Sequence, residues 1–230
     1  MSEQRYAVIG VGDFGSAVAK ILSERGAEVF AIDSNESLIN EIQDDVASAV
    51  SMDATDKKAL QTQSIEDFDA VVVAIGENFE ALLLCCVQLQ ELGVKRIIAR
   101  AQGKQQKEIL RKLGIEEVLS PEYEFAQSIA EKLLNPSLIS FLELPDNYEI
   151  AELKAPKNVD GKTIAELGLR NKYSLNLITV KREYSVDRNG EREIEQHILG
   201  VPSSETVIYH TDTIVVFGLS SDVKKFIEIN

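Results

Sequence analysis

Short apolar runs with strand character alternate with amphipathic, helix-spaced stretches from Tyr6 to Leu119. The strand runs fall at residues 6–10, 28–33, 47–52, 70–76, 96–101 and 117–119. Between them the spacing predicts helices near 14–25, 36–44, 56–63, 79–92 and 104–113, the last closed by Gly114. Such alternation predicts six parallel strands with crossover helices, an α/β doubly wound sheet. Ala70-Val71-Val72-Val73-Ala74-Ile75 is apolar at every position, so both faces must be covered and the strand belongs centrally.

After Pro121 the pattern predicts a helix over 122–134, with Phe125, Ile129 and Leu133 at four-residue spacing and Ala126 and Ala130 beside them. That periodicity fits a face packed on the sheet and a face packed on another subunit equally well. Asn135-Pro136 ends the helix. Pro145-Asp146-Asn147 reads as a linker, after which shorter strands are predicted at 148–154, 174–182, 196–199 and 213–217, with helices at 163–167 and 222–227. The expected organisation is a nucleotide-binding domain with its crossover helix over 1–135, a linker over 136–147 and a small α+β domain over 148–230. Asp187-Arg188-Asn189-Gly190 carries hairpin-turn chemistry.

The first strand runs straight into Gly10-Val11-Gly12-Asp13-Phe14-Gly15 and a helix, and the second strand ends in Asp33. This is the layout of a dinucleotide-type nucleotide site. The first glycine permits the tight turn, the second lets the backbone approach a phosphate, and the third lets helix and strand pack closely, while the helix N-terminus offers free N–H groups to the anion. Asp33, about twenty residues after the loop, stands where a carboxylate can take both ribose hydroxyls.

The chain has 230 residues, with 24 Lys and Arg against 38 Asp and Glu and a formal net charge of −14. That balance repels nucleic acid and anionic lipid. No apolar run reaches the roughly 18 residues of a membrane span, and Arg5 is followed at once by strand and glycine turn rather than by a leader. A soluble cytoplasmic protein with no direct membrane insertion is expected. The adjacent Cys85 and Cys86 suit packing better than a bridge or a metal. His197 and His210 have no Cys or carboxylate at metal-ligand spacing. A dehydrogenase needs a proton donor or acceptor and a substrate clamp beside its cofactor. No such set stands out, so the expectation is a nucleotide sensor and not an enzyme, its ligand acting on a conformational equilibrium.

Further markers follow in order: Asp53-Ala54-Thr55, Ala74-Ile75-Gly76 with Asn78 beyond, Ala99-Arg100-Ala101, Leu113-Gly114, Ser120-Pro121-Glu122, Gly161-Lys162-Thr163-Ile164 and Asp212 to Gly218. With the opening glycine loop, their order and spacing resemble the RCK (regulator of potassium conductance) family, in particular its KtrA/TrkA-type cytosolic regulatory subunits of potassium uptake systems. The resemblance covers nearly the whole chain. It implies a Rossmann-like N-domain that binds an adenine nucleotide (ADP, ATP, AMP or NAD(H)), a crossover helix that forms a homodimer, and a small C-domain. It also implies that dimers assemble into an octameric ring beneath a membrane-embedded potassium transporter subunit in trans.

By position, the resemblance places Gly10, Gly12 and Gly15 around the phosphates, with Phe14 also among the cofactor-binding residues, Asp33 on the ribose, and Asp53, Ala54 and Thr55 beside the adenine. Ala74, Gly76 and Asn78 close the pocket, and Arg100 is the phosphate partner in cis. Glu122 resembles an acid that holds a divalent or monovalent cation near the phosphates at the dimer interface. Bland roles stand beside these: Arg100 can pair with a surface acid, Glu122 can offset a helix dipole, and Asp53-Ala54-Thr55 and Asn78 can cap the helices after them. Asp13 departs from the pattern, because many KtrA-type proteins carry an arginine there. A carboxylate beside a triphosphate is repulsive unless a cation bridges them, so weaker discrimination for ATP is expected. Of the positions that hold cyclic di-AMP in some relatives, Ile164, Arg170 and Pro202 match, but Gly168 and Asn176 do not, and that ligand is not expected. The alternatives are an NAD(P)-dependent oxidoreductase and an RCK-type regulator of another cation channel or antiporter.

Overall fold

The structure, a computed structural model, describes residues 4–188 and 191–229. It divides into two compact units, Met1–Glu124 and Phe125–Asn230.

In the first unit, β1 (Arg5–Ile9), α1 (Asp13–Glu24), β2 (Glu28–Asp33), α2 (Glu36–Ile42), β3 (Ser48–Ser51) and α3 (Lys57–Thr62) form the first half. The second half is β4 (Ala70–Val73), α4 (Phe79–Glu91), β5 (Ile97–Arg100), α5 (Lys104–Lys112) and β6 (Glu117–Leu119). The six strands are parallel in the order β3-β2-β1-β4-β5-β6. β4 is buried at all its positions, which its unbroken apolar run requires. The period-2 alternation of strand side chains supplies two cores. Ala7, Ile9, Val71 and Val73 face Leu60, Leu82, Cys85, Cys86, Leu89 and Leu110 of α3, α4 and α5. Val8, Val29, Ala31 and Val72 pack instead with Ala19, Ile39 and Ile42 of α1 and α2. The two cysteines are buried free thiols within the first core. The order reverses between β1 and β4, the switch point at which open α/β sheets present a crevice.

Helix α6 (Pro121–Leu134) begins in this unit, and the boundary between the units falls after its first turn. The second unit continues with β7 (Leu138–Glu143), β8 (Tyr148–Lys154), β9 (Lys162–Thr163), α7 (Ile164–Leu167), α8 (Leu169–Tyr173) and β10 (Asn176–Arg188). It ends with β11 (Glu191–Ile198), β12 (Val207–Ile208), β13 (Thr213–Leu219) and α9 (Ser220–Ile229). Its main sheet is antiparallel in the order β11-β10-β13-β8-β7, and β9 pairs with β12.

The expected linker over 136–147 is not one. Leu138 is buried and Phe141 packs against the second unit's core, so β7 is an edge strand of its sheet. Pro145-Asp146-Asn147 is the tight turn between β7 and β8, with Asp146 and Asn147 both at φ 61°. Such left-handed positions twist with the flanking strands, and Asp and Asn tolerate them. In the sequence, Pro, Asp and Asn mark a tight turn and a linker alike. The β10–β11 ladder extends further than the pattern suggested, to Arg188 paired with Glu191. Asn189 and Gly190, the predicted turn, lie outside the described residues.

One charged pair anchors this unit. The Asp212 side chain is fully buried; it accepts Arg182 Nε at 2.8 Å, Arg182 Nη2 at 2.7 Å and the Tyr209 amide at 2.9 Å. Arg182 also donates to the Val207 carbonyl and stacks on Tyr209, 4.5 Å from the ring centre. Breaking a buried pair from one side strands the other charge. Asp212→Ala should therefore destabilise the second unit by about 3–5 kcal/mol, seen as an early transition in urea unfolding; an unchanged midpoint would contradict this reading.

Candidate functional site

Three glycines shape the crevice for three different reasons. Gly10 turns the chain out of β1 at φ +88°, and a Cβ there would lie 2.9 Å from the Ile75 amide nitrogen at the end of β4. A Cβ on Gly15 would run into the Gly10 carbonyl, so the close packing of α1 on the turn depends on its absence. A Cβ on Gly12 would meet nothing within 4 Å. Gly12 lines the cavity and begins α1 without a side-chain cap, which leaves the first N–H groups of the helix free for an anion.

The cavity that Gly10 and Gly12 border has a volume of about 680 Å³ and lies at the carboxyl ends of the strands. Gly10, Gly12, Asp13, Asp33, Asp53, Ala54, Thr55, Ala74, Gly76, Asn78 and Arg100 all line it. Three expected residues do not. Gly15 acts through packing, Phe14 lies beneath Arg100, whose guanidinium carbon is 5.4 Å from the ring centre, and Glu122 reaches the site through its bond to Arg100. Leu38, Met52, Glu77 and Gln102 line it as well and were missed. The last three follow closely on β3, β4 and β5, so the rule that ligands sit beyond the carboxyl ends of the strands could have found them.

Asp33 is held by the backbone. Its Oδ2 accepts the Val11 amide and its Oδ1 the Asn35 amide, each at 2.8 Å. It therefore ties the glycine loop to the end of β2, while the second lone pair of each oxygen stays available to a ribose hydroxyl. Asp53 accepts both the Thr55 amide at 2.9 Å and the Thr55 hydroxyl at 2.7 Å, and these bonds hold its carboxyl below the ordinary range. The cap of α3 is Asp56, through the Lys58 amide, and not the Asp53–Thr55 segment. Asn78 caps α4 through the Ala81 amide and lines the cavity too, so its capping and pocket roles coexist.

Arg100 ends β5 with its side chain 18% exposed, and Nη2 bonds Glu122 Oε1 at the start of α6. That hydrogen bond pulls the Glu122 carboxyl below its usual range. Arg100 Nε is buried and without a partner. Among the described residues, no group of three or more His, Cys, Asp or Glu is placed to hold a metal ion. With Glu122 taken by Arg100, the residues of one chain do not fit a resident metal, and a cation here would need oxygens from the ligand or from a second copy of the chain.

The face of α6 left open by spacing is exposed: Phe125 is 69% and Leu133 76% accessible, with Ile129 between them.

The TrkA-N domain family matches residues 6–121, and the TrkA-C domain family matches 148–230. Ktr system potassium uptake proteins C and A of Bacillus subtilis (strain 168) are 33% and 31% identical to the chain over 97% and 98% of its length, and 96% of their own. This chain belongs to the RCK family, in its KtrA/TrkA branch. The fold is shared with a solved structure, the GsuK channel bound to NAD, which superposes with a TM-score of 0.63 at 19% identity, over 96% of this chain. The chain spans 38% of that channel's length. Among the described residues of this RCK protein, no helix is long and apolar enough to cross a membrane.

The glycines give a paired test. Gly12→Ala, with φ −63° and open space, should keep the wild-type melting temperature yet weaken ADP binding by about tenfold, roughly 1.4 kcal/mol. Gly15→Ala should instead destabilise the fold by about 1–3 kcal/mol. Scanning fluorimetry and titration calorimetry read the two effects separately; equal stability losses would refute the distinction.

Proposed function

We propose that this RCK protein is a nucleotide-sensing regulatory subunit of a potassium uptake transporter. It works in the cytoplasm at the inner face of the membrane, bound to a membrane-embedded transporter subunit in trans, and turns over no substrate. The observation that carries this reading is the glycine-bordered cavity at the switch point, in a chain that matches potassium uptake proteins over almost their full length.

An adenine nucleotide suits the cavity. Gly12 and the open end of α1 receive phosphate, Asp33 takes the ribose, and the Asp53–Thr55 segment with Leu38 and Met52 flanks the base. A sensor is favoured over a dehydrogenase because the chain matches potassium uptake proteins over almost their full length. The exposed apolar face of α6 suits a homodimer, since a stripe of Phe125, Ile129 and Leu133 left in water is costly. Dimers then close into an octameric ring whose shape follows the ligand.

Light-scattering mass at one fixed salt concentration, with and without ATP, ADP and NADH, tests this. An octamer, or a dimer that nucleotide drives to that size, is expected. A monomer indifferent to nucleotide, or NADH oxidation with a small substrate, would overturn the reading.

Asp13 sets the ligand preference. Its carboxylate lines the cavity beside the phosphate cradle, so each added phosphate charge meets repulsion that only a cation offsets. In EDTA, ATP should bind no more tightly than ADP, and Asp13→Asn should strengthen ATP binding by roughly tenfold, about 1.4 kcal/mol, which lies between the ~1 kcal/mol of a charge contact in bulk water and the ~4 kcal/mol of one near a protein surface. A clear ATP preference in wild-type protein without metal would contradict this.

A further inference from the structure

We propose that Glu122 competes with the nucleotide for Arg100: a phosphate group displaces it from the guanidinium, and this exchange of partners couples occupancy of the cavity to the first turn of α6. The inference rests on the nucleotide reading of the cavity given above.

Arg100 stands between two anion sources. On one side its guanidinium lines the cavity, over the Phe14 ring and with Nη1 3.1 Å from where a Cβ on Gly76 would stand. On the other, Nη2 holds Glu122. Its side chain is 18% exposed, whereas that of Glu122 is 53% exposed. This asymmetry decides which partner can be given up. A half-exposed carboxylate released from its pair is taken up by water at little cost, but a largely buried guanidinium left without an anion is expensive. Arg100 therefore needs one anion at all times, and either Glu122 or a phosphate can supply it. A phosphate is the stronger candidate, because it carries more charge and can engage the guanidinium at two N–H groups, while Glu122 engages one nitrogen.

The exchange reaches α6 because Glu122 lies in its first turn, and its bond to Arg100 ties that turn to the end of β5. Besides Arg100–Glu122, Lys104 lies 5.5 Å from the Tyr123 ring centre and Lys107 lies 3.7 Å from Glu124. The latter two are loose surface contacts. Freeing Glu122 removes the strongest of the three, immediately before the residues assigned to the second unit.

The sign of one mutation separates this role from that of a cation ligand. With magnesium present, a cation-holding Glu122 would make Glu122→Gln weaken nucleotide binding, whereas a competitor makes it strengthen binding with or without the metal. ADP and adenosine affinities would be measured by calorimetry in EDTA and again with magnesium on the full chain, for wild type, Glu122→Gln, Arg100→Gln and the double variant. The expected result is ADP binding about tenfold tighter in Glu122→Gln, adenosine binding unchanged, and the gain abolished in the double variant. Glu122→Ala should show the same gain, which keeps the test decisive if the Arg100 variants fold poorly. Hydrogen exchange supplies the second readout: ADP should speed exchange of the 120–126 segment in wild type but not in Glu122→Gln. Weaker or unchanged ADP binding in Glu122→Gln, or a gain that persists without Arg100, would overturn the competition; a segment that ignores ADP would overturn the coupling. Either would leave the cavity's nucleotide role standing as long as wild type binds ADP. Wild-type protein that binds none of ADP, ATP, AMP or NAD would remove both.

Discussion

The first unit depends on a close approach of backbone to backbone at the switch point of its sheet. Gly10 lies so near the Ile75 amide, and Gly15 so near the Gly10 carbonyl, that neither tolerates a Cβ without a shift of main chain. These contacts set the N-terminus of α1 over the ends of β1 and β4. They also leave Gly12, with nothing near it, as the floor of an open cradle. Without that approach the crevice would be a helix packed on a sheet, with no uncapped amides aimed into a cavity.

Charge in this crevice is organised around the backbone more than around side-chain pairs. Asp33 and Asp53 spend oxygens on amides of the glycine loop and of the turns that follow their strands, which fixes where they point before any ligand arrives. Arg100 is the exception, because its partner Glu122 is half in water and can be released. The rigid acids define the shape of the site, and the cation with a replaceable partner gives it a means to respond.

In the second unit the buried Arg182–Asp212 pair has the opposite character. Both Asp212 oxygens and the Arg182 fork are satisfied by one another and by the main chain around Val207 and Tyr209, and Asp212 is closed to solvent. A pair so placed holds β10 to the start of β13 and has no spare capacity for an outside ligand.

Much was legible from sequence, for reasons that are local. Period-2 and helical spacing identified all six parallel strands and their crossovers, because a strand buried on both faces must be apolar throughout. The glycine spacing marked the turn and Asp33 the end of the next strand, because only those residue types fit there. Other features depended on partners distant in sequence. β7 was hidden because Leu138 and Phe141 gain their meaning only from the core they enter, and the turn at Asp146-Asn147 looks like a linker until its flanking strands are seen to pair. The α6 stripe could not reveal its own exposure, since one periodicity serves a buried face and an open one. Sequence by itself thus determined the order of elements and the kind of site they build. Tertiary structure alone decided that Glu122, 22 residues beyond Arg100 in the chain, shares its charge, because adjacent parallel strands bring together side chains that no local pattern relates.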